Sequence, residues 1–339
     1  MGKRLGTFNK LVVLLNVFAA LLLLLASISR FLNWGILSFL SFLTLLLPHL
    51  VLANVFFLVY WGIKGKKQLR LSLSVLLLGF LTQDSFFKIF GSNERSNEDG
   101  IKVMTFNVKG LNGLEWAKDP VSEKEIVAFI KQQNADILCM QEFDSRKDRH
   151  FDTYKYRYKT LNKDDRSPQA IFSKYPIIAK GSLDFPNSGN NAIYADILIG
   201  RDTLRVYNIH LQSFSVRPRS FKREAPDRLF DRLNRSFKKQ QQQSNIVSDH
   251  ASKVAYDKII CGDFNNTQFS SVYYTIKGDM TDSFQEKGFG IGSTYDFKFL
   301  PFRIDFILAD PSLEIMSHKN FNVRMSDHTP VMASFRLKE

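Results

Sequence analysis

Cysteine is nearly absent. Two in 339 residues exclude a disulfide-stapled scaffold, and with no Cys/His cluster a structural zinc site is excluded as well. Both thiols, Cys139 and Cys261, lie inside apolar runs that read as buried strands, which predicts two reduced core cysteines. Acid is scarce at the N-terminal end, where residues 1–90 carry nine Lys and Arg but one carboxylate, Asp84. No serine-nucleophile motif, glycine-rich phosphate cradle or repeat of fixed period is present, and the one low-complexity tract is the run of glutamines 240–243. With 13% aromatic residues the chain is not of the intrinsically disordered class. A net charge of +13 would suit nucleic acid, yet much of the excess flanks apolar segments, where membrane topology explains it better.

Between Lys10 and Lys64 the only formal charge is Arg30, and the stretches 11–29 and 31–63 are free of charge. Crossing a hydrocarbon layer takes roughly 20 helical residues, so two spans fit. A cleavable signal peptide is the weaker reading of the first, because its apolar run is long for a signal core and a second long run comes after it. A third candidate, 71–87, is interrupted by Gln83 and Asp84, and an interfacial helix competes with a span there. Lys3, Arg4 and Lys10 precede the first span, and Lys64, Lys66, Lys67 and Arg70 separate the second from the third, so both clusters are expected in the cytoplasm. Residues 1–90 are therefore expected to form a membrane anchor of two or three helices. If the third segment spans, the chain from about Gly91 onward lies outside the cytoplasm.

Residues 91–100 (GSNERSNEDG) have the polar, Gly-bounded composition of a linker, and a domain over 101–339 is expected after it. There, short runs rich in Ile, Val, Phe and Tyr alternate with helical stretches. IKVMTFN, DILCMQ, AIFSKYPII, AIYADILIG, TLRVYNIHL, KIICGDFN, RIDFILAD and PVMASFRL read as strands, and Ser122 with Glu125 has capping-box spacing at a helix start. This is an α/β or α+β domain. Asn107, Glu142, His210, Asp263, Asn265, Asp305, Asp327 and His328 fall at or just past the ends of apolar runs. An Asp or Asn after a strand is more often a turn former than a catalyst. The recurrence weakens that reading, as does Asp305 inside an apolar run, where a carboxylate needs a partner or a metal. Four carboxylates, two amides and two imidazoles suit a hard ion, Mg²⁺ or Mn²⁺, and metal-assisted attack of water on a phosphate ester.

In order, TFNVKG, MQEFD, NIHLQS, CGDFNNT, RIDFIL and SDHTPV resemble the motif series of the endonuclease/exonuclease/phosphatase superfamily, over essentially the whole soluble half. The apolar N-terminus and the stretch DSFQEKGFGIGSTYDF further resemble a membrane-anchored bacterial branch of it, placed in an inner membrane. The resemblance implies a four-layered α/β (α+β) sandwich, two packed β-sheets flanked by helices. It implies that Glu142 is the principal metal ligand, with Asn107 beside it and Asp327 supporting the site through the metal. Asp263 would orient or deprotonate water, Asn265 would steady a phosphoryl oxygen, His210 and His328 would contact the phosphate, and Asp305 would orient His328. Lys109, where repair endonucleases carry an acid, and His210, where they carry Tyr, argue against a DNA-repair role.

Residues 217–239 hold nine bases against three acids, with Leu229, Phe230, Leu233 and Phe237 at helical spacing. The bland reading is a helix with a solvated basic face. The sharper one is a patch in which Arg228, Arg232 and Arg235 grip an anionic substrate or lipid headgroups. The chain is thus expected to be a membrane-embedded phosphoesterase of a lipid or small-molecule ester, with a nuclease as the alternative and an idle scaffold least favoured.

Overall fold

A computed structural model describes residues 6–31, 41–83, 87–89, 91, 100–113, 121–160, 167–215, 224–297 and 300–337. Asp84, most of the expected linker and the start of the basic segment, 217–223, lie outside the described residues. The elements are α1 (Thr7–Ile28), α2 (Ser41–Leu45), α3 (Leu47–Ile63), α4 (Leu69–Thr82), β1 (Ile101–Asn107), α5 (Glu123–Gln133), β2 (Ile137–Gln141), β3 (Tyr156–Lys159), β4 (Gln169–Ser173), β5 (Ile177–Asp184), β6 (Asn191–Ile199) and β7 (Asp202–His210). They continue with α6 (Pro226–Ser252), β8 (Asp257–Asp263), α7 (Ser271–Lys277), β9 (Thr281–Asp282), α8 (Ser283–Lys287), β10 (Tyr295–Phe297), β11 (Leu300–Phe302), β12 (Asp305–Ala309), β13 (Leu313–Asn320) and β14 (Val331–Leu337).

Strand alternation builds the layers. Ile137 and Cys139 of β2 face one way and Leu138 and Met140 the other, and in β12 Ile307 and Ala309 oppose Phe306 and Leu308. One set from each sheet meets in a shared inter-sheet core that holds both free cysteines. The other sets are covered by α5, through Ile126, Val127 and Ile130, and by α6 and α7, through Val247, Ala251, Val272 and Ile276. Two six-stranded sheets, ordered β13-β14-β1-β2-β4-β3 and β5-β6-β7-β8-β12-β9, thus pack face to face between helices, the four-layered sandwich. Each fully buried large side chain in these layers contributes roughly 1.5–3 kcal/mol. The capping box at α5 forms as expected, with Ser122 accepting from the Glu125 amide and Glu125 accepting from that of Ser122.

One run departs from expectation. AIFSKYPII is not a single strand: β4 belongs to one sheet and β5 to the other, with the corner at Lys174–Pro176. Pro176 cannot donate to a ladder and its ring disfavours a straight continuation. The second apolar segment is likewise divided, into α2 and α3 at Leu46.

The N-terminal helices pack as a bundle. Their contacts combine a leucine-rich cluster with polar ties: Asn16 donates to Ser72 at 2.7 Å, the Trp61 indole to Asn16 at 3.0 Å, and Asn54 to the Ala19 carbonyl at 3.2 Å. Many other large apolar side chains face outward, among them Leu14, Phe18, Phe56 and Phe80. Among the described residues, only α1 is long and apolar enough by length and composition to cross a membrane; α3 and α4 are apolar but shorter, at 17 and 14 residues. The two-sheet domain docks on the end of the bundle where α1 and α4 finish. Phe269 joins a cluster with Ala20, Leu23, Ala26, Leu47, Leu50 and Val75, and Lys88 pairs with Gly290.

Under the second sheet, Arg303 donates to Asp282 at 2.7 Å and stacks between Phe284 and Phe306, while His318 is 2.8 Å from Ser283 Oγ and 2.9 Å from Asn320 Oδ1. Burial pushes the His318 imidazole down to about 4, against the opposing pull of Asp282. A histidine lowered on folding stabilises the fold fully above its unfolded value of about 6.5 and loses that contribution as pH falls toward 4. The stability advantage of the wild type over His318→Gln, measured by denaturant unfolding in detergent, is therefore expected to shrink by about 3 kcal/mol between pH 7 and pH 4.

Candidate active site

Register brings the polar residues to one edge. β1 runs parallel to β2 with Asn107 opposite Gln141, and β7 runs parallel to β8 with His210 opposite Asp263. β12 starts at the same edge, Asp305 opposite Asp263. Just past their strands the chain turns through positive φ at Lys109 (45°), Glu142 (51°) and Asn265 (49°), a left-handed geometry that swings each side chain off the strand line. Gly262 has φ +132°, and a Cβ there would lie 2.1 Å from the Ile209 carbonyl oxygen, so β7 and β8 approach this closely only with glycine before Asp263.

Asp263 is the meeting point. It is 1% exposed, and its Oδ2 accepts from Asn107 Nδ2 at 3.1 Å, across the two sheets, and from Asn265 Nδ2 at 3.2 Å. His210 Nε2 and His328 Nε2 each stand 3.6 Å from the same oxygen. Asn107 Nδ2 also donates to Glu142 Oε1 at 3.2 Å, and Glu142, its side chain 41% exposed, opens onto a cleft of about 720 Å³ lined also by Lys109, Ser167, His210 and Gln212. His328 Nδ1 donates to Asp305 Oδ2 at 2.9 Å. Asp305 Oδ1, buried, has no hydrogen-bond partner within the protein, and Asp263, Asp305 and His328 offer ligand atoms within 4.8 Å of one another.

Electrostatics follow from that crowding. Burial, reinforced by Asp305, pushes the Asp263 carboxyl up to about 6 against the pull of His328, His210 and the Asn107 amide. Burial works against the His328 cation too, but Asp305, Asp263 and Asp327 outweigh it and raise His328 to about 10. Asp327 is held low: burial opposes its charge and His328 and Lys109 favour it.

Eight of the expected residues converge here, though not all as pictured. Asp327, expected at the metal, spends Oδ2 on Lys109 Nζ at 2.8 Å and Oδ1 on the Ser326 hydroxyl at 3.1 Å. The arginines of α6 do not line the cleft. Arg232 is committed to Glu224 and to the carbonyls of Phe214 and Ser215, while Arg228 and Arg235 stand on the exposed face. Leu233 and Phe237 face the core, but Phe230 is 49% exposed.

The family follows from the sequence match on top of this geometry. A model described as the endonuclease/exonuclease/phosphatase family matches residues 104–328, and one described as a domain of unknown function (DUF8431) matches 9–86. The chain belongs to the endonuclease/exonuclease/phosphatase family. Its members are divalent-metal-dependent hydrolases of phosphate ester bonds. No curated protein matches the sequence. Among solved structures, an endonuclease/exonuclease/phosphatase from Beutenbergia cavernae is similar at TM-score 0.54 and 17% identity, covering 70% of this chain and 72% of that one. A mannosyl-6-phosphatase from Bacteroides thetaiotaomicron aligns at 0.54 and 16%, over 70% and 100%. D. rerio TDP2 complexed with a single-strand DNA product aligns at 0.54 and 14%, also over 70% and 100%.

Several residues of this family member's site escape a motif reading. Ser167 Oγ lies 2.9 Å from His210 Nδ1, and Thr294 Oγ1 accepts from the amides of Ile304 and Asp305. The glutamine tract is structural. Gln240 donates to the carbonyls of Gln212 (2.7 Å) and Asn265 (3.0 Å) and accepts from Asn266, and Gln243 accepts from the Gln212 amide. A signal for it existed, because Gln240, Gln243 and Ser244 fall on the buried stripe of α6 with Phe237 and Val247. Removing the charge on Asp305 should release His328. Asp305→Asn is expected to lower the His328 pKa by about 1–3 units, read by NMR titration of labelled imidazoles.

Proposed function

We propose that this protein is a membrane-anchored, Mg²⁺- or Mn²⁺-dependent phosphoesterase whose catalytic domain, 101–339, faces away from the cytoplasm. The observation that carries the chemistry is the buried Asp263 held between an amide of the opposite sheet and two imidazoles, beside an open carboxylate, Glu142. Oxygen donors dominate the cleft side, where the open Glu142 carboxylate stands beside Asn107 and the buried Asp263, so the donor set fits a hard divalent ion. Glu142 and Asn107 would hold it, and the bound ion would neutralise charge on the phosphoryl group.

The protein's own groups supply the rest. Asp263, raised toward neutrality, accepts a proton from the attacking water as the new P–O bond forms and the bond to the leaving oxygen breaks. His328, cationic through Asp305, and His210, steadied by Ser167, donate to the phosphoryl oxygens where charge develops, and Asn265 steadies another. Lys109 pairs with Asp327 at the rim, so Asp327 acts here through Lys109, which also fixes the Asn107 amide through its backbone N–H at 3.2 Å. Arg228 and Arg235 remain available on the outer face for an anionic substrate or headgroup.

The bundle supports anchoring: beside its buried leucines it carries a wide outer surface of large apolar residues, Phe8, Leu14, Phe18, Phe56 and Phe80 among them, which a helix bundle in water would cover. Its basic loop, Lys64 to Arg70, lies at the end opposite the docked domain, which favours an extracytoplasmic domain. A tether also favours a lipid or small-molecule ester over nucleic acid; the similar structures include a sugar phosphatase and a DNA-product complex.

Three outcomes are expected. A reporter fused after residue 100 is active only when it works outside the cytoplasm, and cytoplasmic activity rejects the topology. The full chain in detergent hydrolyses a member of a panel of phospholipids, sphingomyelin, inositol phosphates, aryl phosphates and nucleic acids with Mg²⁺ or Mn²⁺, and chelator abolishes the rate. Asp263→Ala and His328→Ala lose about 10²–10⁴ in kcat/KM while keeping the wild-type circular dichroism, and folded variants with full turnover reject the assignments.

A further inference from the structure

The short ribbon made by residues 87–89 and 289–291 joins the end of the bundle to the catalytic domain. Lys88 N donates to the Gly290 carbonyl and Gly290 N to that of Lys88, both at 2.9 Å, which defines an antiparallel hydrogen-bonded pair. In that register Phe87 stands opposite Ile291 and Ile89 opposite Phe289. The pairing gathers these four apolar residues around Lys88 and Gly290, where Gly290 turns the chain at φ +76°. Each is well exposed: Phe87 46%, Ile89 68%, Phe289 47% and Ile291 45%. A water-soluble surface seldom gathers four large apolar residues on so small an element.

The position of the ribbon says what covers it. α4 ends at Thr82, and its last outward residues, Phe80 (83%) and Leu81 (78%), continue into the same apolar series a few residues later at Phe87. The helix ends of α1 and α4 meet the catalytic domain at this level, where Phe269 enters the bundle. The exposed apolar residues of the ribbon therefore lie at the same end of the bundle as the outward residues that close α4. We propose that the 87–89/289–291 ribbon lies in the boundary between lipid headgroups and acyl chains, a membrane seat that holds the catalytic domain flat on the bilayer; this rests on the anchored reading above. The depth is that of an interfacial element, about 5–10 Å into the headgroup region. Phe269 stands four residues past Asn265, so the seat and the Phe269 contact together place the catalytic edge a fixed, short distance from the lipid surface. The substrate class that such a site meets is a phosphate ester presented at a membrane surface.

Site-directed spin labelling of the full chain in phosphatidylglycerol/phosphatidylethanolamine vesicles tests it. Cys139 and Cys261 are fully buried and stay unlabelled, so Phe289→Cys and Ile291→Cys each give one reporting site. Leu14→Cys, 65% exposed on α1, reports the bundle, and Arg201→Cys in the exposed β6–β7 turn reports water. The expected result is an oxygen-to-nickel-chelate accessibility ratio at 289 and 291 several-fold above that at 201 and below that at 14. Ratios at 289 and 291 equal to that at 201, with Leu14 still in hydrocarbon, overturn the seat and leave the anchor standing. A water-like ratio at Leu14 overturns the anchor, and the seat with it. Spin–spin broadening at 289 that disappears on dilution with unlabelled chain assigns the face to a second copy and also overturns the seat.

Discussion

The burial of one carboxylate organises this molecule. Asp263 sits at 1% exposure at the end of a central strand, and a charge so placed is tolerated only where donors surround it. One donor, Asn107, comes from the opposite sheet. Below it the inter-sheet space is already polar: Gln141 donates to Thr105 and Asn208, and Asn208 donates to the carbonyls of Met140 and Ala170. An apolar interface between sheets tolerates small slides, whereas directional hydrogen bonds across it do not. The sandwich is greasy where it needs cohesion and hydrogen-bonded where it needs registration, and the polar end is the end that carries the chemistry.

The same logic runs in reverse in the N-terminal helices. There the polar contacts, Asn16 with Ser72 and Trp61, and Asn54 with the α1 backbone, are inside beside a leucine cluster, and much bulky hydrocarbon is outside. The two halves share a join. The loop after Asn265 is buried up to Ser271, and Phe269 within it belongs to the helical cluster, so the segment that follows Asn265 also rests on the N-terminal helices.

Much of the architecture was legible because the strands are buried on both faces and read as dense apolar runs. The motif residues sit at the ends of those runs, and register alone carries Asn107, His210, Asp263 and Asp305 to one edge. What was not legible depends on contacts without period. The corner at Pro176 splits an apparent strand between two sheets, and short elements such as β9, β10 and β11 lack the length for a pattern. The resemblance implies Asp327 as a support of the site, but its partner Lys109 lies 218 positions away, a pairing that no spacing reveals. The arginines of α6 divide in a way that helical spacing does not reveal: Arg232 turns inward to Glu224 and to two carbonyls, while Arg228 and Arg235 stay on the exposed face.

The glutamine run in α6 has a consequence for heredity. Runs of one repeated amino acid can be encoded by repeated codons, which are prone to slippage during copying, and in a surface loop an extra glutamine would pass unnoticed. Here the run lies inside a helix that turns about 100° per residue. One inserted codon would leave glutamines in step with Leu233 and Phe237 but swing Ser244, Val247 and Ala251 round by about 100°, so that the two halves of the buried stripe no longer face one core. The least informative-looking stretch of the gene is thus one whose length selection must guard.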